Sequence, residues 1–309
     1  MSNSAAPHSI LSIDQITKVY YDELTQLARK NRRMSNSHLK KRTTLLFNKN
    51  LSTVNISGMF SQKVFVGGAP PGISDTEILN AFGKYGNFTI EKKKANEKSS
   101  FFYVIYESNQ CVKGLLTTCV INSVGEFYTR IGTHIVQVIP WEINNSHYVP
   151  ATNMTLLDNK KVVFIGGLHG KMTAKFIAEV FSYFGPIVMV TIDVDKYKYP
   201  IGSGRVAFSD SQGYFTAIMQ EFIDIETPDF RKTVQVTPQL EDSLCYICKS
   251  EVGPFFCKDF TCYQYYCTLC WKLKHSGPGY VHHQPLIRDS KHKPKLGPIL
   301  SKFSNLSLK

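Results

Sequence analysis

The chain has 309 residues, 43% of them hydrophobic, and a formal charge of +12. That length allows two or three domains with real cores. No apolar run approaches a membrane span and the start Met1-Ser-Asn-Ser-Ala lacks a signal-peptide core, so a soluble, intracellular protein without membrane contact is expected. The charge is uneven: residues 1–60 hold nine Lys/Arg against three acids and 288–309 hold six against one, while 61–240 are nearly balanced at seventeen against sixteen. Long-range attraction to phosphate therefore belongs to the tails, and base stacking must supply most of any nucleic-acid binding by the middle.

In chain order, Ile13, Ile16, Tyr20, Leu24 and Leu27 recur at three- and four-residue spacing and predict an amphipathic helix over 13–28. A basic run follows, comprising Arg29, Lys30, Arg32, Arg33, Lys40, Lys41 and Arg42, fit for phosphate contact or nuclear import. Residues 43–60 are rich in Ser, Thr and Asn and read as a linker, so 1–60 as a whole are expected to be basic and largely flexible, with one helix.

The string Lys63-Val-Phe-Val-Gly-Gly-Ala69 has a near copy at Lys161-Val-Val-Phe-Ile-Gly-Gly-Leu168. Each is a short β-branched run in which one phenylalanine, Phe65 or Phe164, faces opposite to its aliphatic neighbours. That is the first-strand pattern of an RNA recognition motif (RRM), whose aromatic stands on the open face of a sheet to stack on a base. The repeat, about a hundred residues apart and followed each time by helix, strand, strand, helix, strand, predicts two such domains. In the first, 61–142, Ser74-Asp-Thr-Glu77 is a capping box for a helix with Ile78, Leu79 and Phe82 on its apolar face. Phe101-Phe-Tyr-Val-Ile-Tyr106 is the central strand; Phe101 and Tyr103 share the face of Phe65, and Phe102, Val104 and Tyr106 turn to the helices. A helix around 109–119, an extended region 122–133 and a strand 135–139 complete the domain. Cys111 and Cys119 read as packed thiols.

Residues 143–159 read as a linker short enough to couple the two domains on one RNA strand, with Asn144-Asn-Ser-His147 placed to order around nucleotides. In the second domain, 160–240, Thr173 caps a helix whose Phe176, Ile177, Val180, Phe181 and Phe184 form a core face. Its third strand, ending at Phe208, places Ser203 and Arg205 at the stacking positions, so this sheet stacks fewer bases, with Arg205 on a base or a phosphate.

Six of the eight cysteines fall between 245 and 270, as Cys245-x2-Cys248, Cys257-x4-Cys262 and Cys267-x2-Cys270, followed by His275 and His283. Eight such ligands serve two tetrahedral zinc ions. On a helix starting at Cys267, Cys270 and His275 diverge by about 140° and do not share an ion. The sites are therefore expected to interleave: Cys245, Cys248, Cys267 and Cys270 at one, and Cys257, Cys262, His275 and His283 at the other, with His282 the rival for the last place. Residues 289–309 read as a basic, flexible tail.

Lys198-Tyr-Pro-Ile-Gly-Ser-Gly-Arg-Val206, Leu244-Cys-Tyr-Ile-Cys248, Gly253-Pro-Phe-Phe-Cys257 and His282-His-Gln-Pro-Leu286 closely resemble the cytoplasmic polyadenylation element binding proteins, in a diverged form of their founding branch and of nematode germline type. The resemblance implies an α+β protein of two RRMs and a ZZ-type double-zinc module over 243–288. It implies binding to U-rich elements of mRNA 3′ untranslated regions and control of poly(A) tail length and translation, with Phe65, Phe101, Tyr103, Phe164 and Arg205 as RNA contacts. A cytoplasmic germ-cell monomer in ribonucleoprotein particles that also shuttles to the nucleus is the matching expectation; its zinc module would recruit ribosome- or polyadenylation-associated proteins. The other function class is a protein-interaction adaptor working through the zinc module with weakened RRMs. Catalysis is not expected, because no nucleophile–base pair, carboxylate pair or phosphate-cradling loop stands out.

Overall fold

The computed structural model describes residues 13–34, 42–49, 51, 56–92, 100–151 and 157–287. They belong to two compact units, one within 40–239 and one combining the residues before 40 with those after 239. The chain opens with α1 (Ile13–Met34) and β1 (Thr43–Leu46). The first RRM follows as β2 (Lys63–Gly67), α2 (Asp75–Phe82), β3 (Phe88–Glu91), β4 (Phe101–Tyr106), α3 (Asn109–Thr118), a hairpin of β5 (Val120–Ile121) and β6 (Phe127–Ile131), and β7 (His134–Ile139). Its sheet runs β3-β4-β2-β7-β6-β5. The capping box forms as expected: Ser74 Oγ accepts the Glu77 amide at 3.2 Å and the Glu77 carboxylate accepts the Ser74 amide at 3.0 Å. Ile78 and Phe82 of α2 and Val112, Leu115 and Leu116 of α3 bury against Val64, Val66, Phe102, Val104 and Tyr106. The two-residue period of a strand then sends Phe65, Phe101 and Tyr103 to the opposite face. Phe60 fills the same core and bridges to Glu142, so the domain starts inside the stretch read as linker.

The second RRM comprises β8 (His147–Tyr148), β9 (Val162–Gly166), α4 (Ala174–Phe181), β10 (Ile187–Val194), β11 (Pro200–Phe208), α5 (Ser211–Gln220), β12 (Phe222–Glu226) and β13 (Arg231–Pro238). The seven-stranded order is β1-β12-β13-β9-β11-β10-β8. Both outer strands correct the sequence reading. Residues 43–46 are not linker but a strand parallel to β12, and Phe47 sets its ring edge-on to Phe176 at 5.1 Å. His147 and Tyr148 pair with Thr191 and Val190, so the polar tract orders on the protein's own sheet rather than awaiting nucleotides. In both places a free sheet edge offers unpaired backbone groups, which a segment too short to show a strand's alternation can satisfy.

Close approach of α5 to the turn between α4 and β10 rests on a glycine pair: a Cβ at Gly185 would lie 2.6 Å from the Gly213 Cα. Gly185→Ala is expected to destabilise the domain by roughly 1–3 kcal/mol through forced separation. Urea denaturation measures it, and an unchanged midpoint would mean the backbone yields freely.

The C-terminal module contains β14 (Phe255–Cys257), β15 (Tyr265–Tyr266), α6 (Thr268–His275) and β16 (Pro285–Ile287), with the sheet ordered β15-β14-β16. The N-terminal helix is longer than the apolar spacing predicts, and it is not a flexible lead-in: Leu24 is buried in one cluster with Phe255, Cys257, Tyr266 and Trp271. Of the basic run, Arg29 is exposed and Arg42 is packed over the Phe222 ring at 5.4 Å; Lys40, Lys41 and the side chains of Lys30, Arg32 and Arg33 lie outside the described residues, as does the 289–309 tail.

Candidate nucleic-acid interface and metal centres

Antiparallel pairing of β2 with β4 sets Phe65 opposite Tyr103 and Gly67 opposite Phe101. The Phe65 and Phe101 rings stack at 5.2 Å with 23° between planes, and Tyr103 meets them edge-on at 5.5 and 6.2 Å. Gly67 makes this possible, since a Cβ there would lie 2.7 Å from Phe65 Cε1. The glycine two residues beyond the phenylalanine lets the ring lie down along the strand. A groove beside the stack is lined by Gly67, Ser100, Tyr128, Ile135 and Gln137. Tyr128 and Gln137, from β6 and β7, were not among the sequence candidates. Their register opposite each other and Gly67 is what aims them at the face.

Tyr103 is not an open platform. Tyr199 of the second RRM meets it edge-on at 5.7 Å and Lys63 Nζ sits 4.3 Å from its ring centroid. The Lys63 ammonium donates to Glu91 at 2.9 Å and, across the domains, to Asp195 at 3.3 Å. Burial disfavours that charge, but the two carboxylates outweigh it and hold the Lys63 pKa above its ordinary value. Ser61 Oγ donates to the Tyr197 carbonyl at 2.7 Å and Tyr199 Oη to the Ile139 carbonyl at 3.3 Å. The RRMs are thus joined by direct contacts, where the sequence pointed only to a short connection.

Lys171 pairs with Glu126 across the same boundary, and Glu126 also accepts from Tyr128 Oη and Asn122 Nδ2 at 2.8 and 2.9 Å. The Lys171 hydrogen bond, ahead of the other two, pulls the Glu126 carboxyl down to about 2. A lowered acid stabilises the fold above the ordinary Glu range and loses that contribution as pH falls through its folded value. Glu126→Gln should therefore cost roughly 1–3 kcal/mol at neutral pH, allowing for solvent screening, with the gap from wild type shrinking as pH drops from about 5 towards 2. A gap independent of pH in denaturant titrations would assign the loss to something other than the ion pair.

On the second sheet Phe164 lies opposite Arg205 and Gly166 opposite Ser203. Ser203 Oγ donates to Asp193 at 2.7 Å, and the Arg205 guanidinium pairs with the other oxygen of the same carboxylate. Arg205 keeps 40% of its side chain exposed, so its remaining donors stay open to a ligand. Asp193 carries no motif of its own, and only the register of β10 against β11 reveals it as the residue that orients Arg205.

In the C-terminal module the ligand atoms of Cys245, Cys248, Cys267 and Cys270 gather within 4.8 Å of one another, and so do those of Cys257, Cys262, His275 and His283. A tetrahedral zinc with Zn–S near 2.3 Å and Zn–N near 2.0 Å places sulfur pairs about 3.8 Å apart and sulfur–nitrogen pairs about 3.5 Å apart. Cys248 and Cys267 sulfurs lie 4.0 Å apart, Cys257 Sγ is 3.5 Å from His283 Nδ1, and Cys262 Sγ is 3.7 Å from His275 Nε2 and 3.4 Å from His283 Nδ1. The donor set fits zinc. The other nitrogens are also occupied: His275 Nδ1 faces the Trp271 carbonyl at 3.1 Å and His283 Nε2 faces Asp259 at 3.4 Å, the outer contacts that fix a ligating imidazole. Thr261 holds Asp259 through its amide and hydroxyl at 3.0 and 2.7 Å. His282 joins neither group of four and approaches Asp259 and His283 instead. Burial pushes the Cys257 thiol up to about 12, so its thiolate form needs a cation in contact.

The first-RRM residues and the eight Cys/His donors lie within segments matched by two family models. The ZZ domain of cytoplasmic polyadenylation element-binding proteins matches 232–289 and an RNA recognition motif matches 61–144. Cytoplasmic polyadenylation element-binding protein 1 of Carassius auratus is 38% identical over 257 residues, covering 76% of this chain and 46% of that protein. Protein 3 of the same name from Caenorhabditis remanei is 33% identical, over 78% of this chain and 37% of its own length. The translational regulator orb2 of Drosophila melanogaster is 34% identical, over 77% and 36%. This chain therefore spans less than half the length of the curated relatives it matches. Two RRM folds, eight Cys/His donors in two groups of four and these matches make the chain a member of the cytoplasmic polyadenylation element-binding protein family.

Proposed function

We propose that this protein binds single-stranded U-rich elements in mRNA 3′ untranslated regions and so regulates cytoplasmic polyadenylation and translation, acting in the cytoplasm of germ cells as a monomer and without catalysis. The observation that carries the reading is the stacked Phe65–Phe101 pair with its polar groove, because a flat aromatic surface beside hydrogen-bonding groups both holds an unpaired base and reads its edge. Gln137 and Tyr128 supply donors and acceptors there, while Phe164 and Arg205 extend the track on the second sheet. Near balance of charge over 61–240 favours stacking over phosphate attraction as the main source of affinity. Two zinc ions, one in each group of four ligands, hold the ZZ module, which recruits proteins of the polyadenylation or translation machinery. An adaptor with degenerate RRMs is the weaker reading, since Phe65 and Phe101 form a stacked aromatic pair on the sheet face of the first RRM.

Fluorescence anisotropy on the full chain with a short U-rich RNA and a C-rich RNA of equal length, at physiological salt, tests the proposal. U-rich RNA should bind at least about tenfold more tightly. Equal affinity would sink sequence-selective recognition.

A further inference from the structure

Lys272 of α6 pairs with Glu23 of α1 at 2.7 Å although the two lie 249 positions apart. Around that pair, Lys272 Nζ sits 4.6 Å from the Tyr20 ring centroid and Tyr21 packs on Phe255 at 5.5 Å. Leu24 is 4% exposed, in the cluster that contains Phe255 and Trp271. The contact has the layout of a helix laid in a groove: two apolar anchors three residues apart, and an acid between them that meets a lysine on the groove's rim.

The module's own elements are complete without α1, with three strands, one helix and both groups of four donors all supplied after residue 240. The fit of α1 is also imperfect. Thr25 Oγ1 is buried without a hydrogen-bond partner, the Lys272–Glu23 pair is partly exposed, and Val19 and Leu27 of the same helix remain exposed. A buried hydroxyl left unsatisfied and an exposed ion pair make a weak seal. We propose that this apolar face of the zinc module is a receptor site for an amphipathic helix, held in cis by α1 and exchangeable for a helix of a partner protein. The partner helix carries an aromatic residue, a leucine three positions later and an acid between them, as Tyr21, Glu23 and Leu24 do. Because α1 is tethered, it competes at high effective concentration, and an incoming helix binds well only after α1 is released.

The test uses the zinc-loaded full chain and a fluorescent peptide of residues 13–34. Leu24→Asp in the chain releases the cis helix, so the wild-type peptide should bind that variant at least about tenfold more tightly than it binds wild type. A peptide carrying Leu24→Asp should not bind either. In the released chain, Lys272→Glu should weaken the peptide about two- to fivefold, and Glu23→Lys in the peptide should recover the loss. A Leu24→Asp chain that keeps zinc and RNA binding yet takes no peptide would overturn the site. So would loss of zinc or solubility on that substitution alone, which would make α1 part of the module's core. Thr25→Val in the chain, which removes the orphan hydroxyl, should lower peptide binding to otherwise wild-type protein still further.

Discussion

Stripping metal from this protein with a strong chelator is expected to unfold residues 240–287 while both RRMs stay folded. A segment of that size has too little apolar surface to fold alone, and zinc supplies on the order of 10 kcal/mol or more of apparent binding energy to structural sites. The readout is built in, because Trp271 stacks on the zinc-facing His275 with centroids 3.8 Å apart, whereas the protein's other tryptophan, Trp141, is buried beside the first RRM. Chelation should therefore change the emission of Trp271 and spare that of Trp141. Single substitutions sharpen the test. Cys257→Ser and His283→Ala should each reproduce the loss, since each removes a donor from one group of four, and His282→Ala should be nearly silent. Metal analysis should give two zinc ions for wild type and His282→Ala, and fewer for the other two. A chelated protein that kept its Trp271 signal would remove zinc from the account of this module's stability.

The second large effect is on RNA. Phe65→Ala and Phe101→Ala should each weaken U-rich binding by about 1–3 kcal/mol, with little loss of stability, since both rings lie on the half-buried face and not in the core. The double variant should lose less than the sum, because the two rings stack on one another and each substitution already disturbs the other. Tyr103→Ala should behave differently. Its ring is held between Phe65, Tyr199 and the Lys63 ammonium, so its removal loosens the junction between the RRMs as well as the face. It should cost both RNA affinity and stability, which thermal unfolding separates from the binding titration. Unchanged affinity in all three variants would move the RNA site off this sheet.

The two RRMs and the two Cys/His groups are legible in the sequence. Alternation within Lys63–Ala69 and Phe101–Tyr106 decides which aromatics face outward because a strand has a period of two, and the capping box at Ser74 is a local hydrogen-bond pattern within four residues. Ligand spacing likewise carries the metal assignment, since pairs two residues apart approach one ion and a five-residue step along a helix does not. None of this needs distant parts of the chain.

What escaped the sequence depends on pairings between remote segments. Residues 43–46 and 147–148 are too short to announce a strand, and they become strands only because β12 and β10 present open edges. Tyr128 and Gln137 reach the stacking groove through hairpin register, and Asp193 becomes the anchor of Arg205 through the pairing of β10 with β11. The same holds for Lys63, a motif residue in the sequence and, in the fold, the cation that joins Tyr103, Glu91 and Asp195. The sequence by itself determined the repeated domain type, the outward aromatics and the two groups of four Cys/His side chains, because each follows from local periodicity and spacing. Only the tertiary structure decided that the RRMs meet directly and that α1 lies on the ZZ module, because burial is settled by which distant surface is available, and no local pattern encodes it.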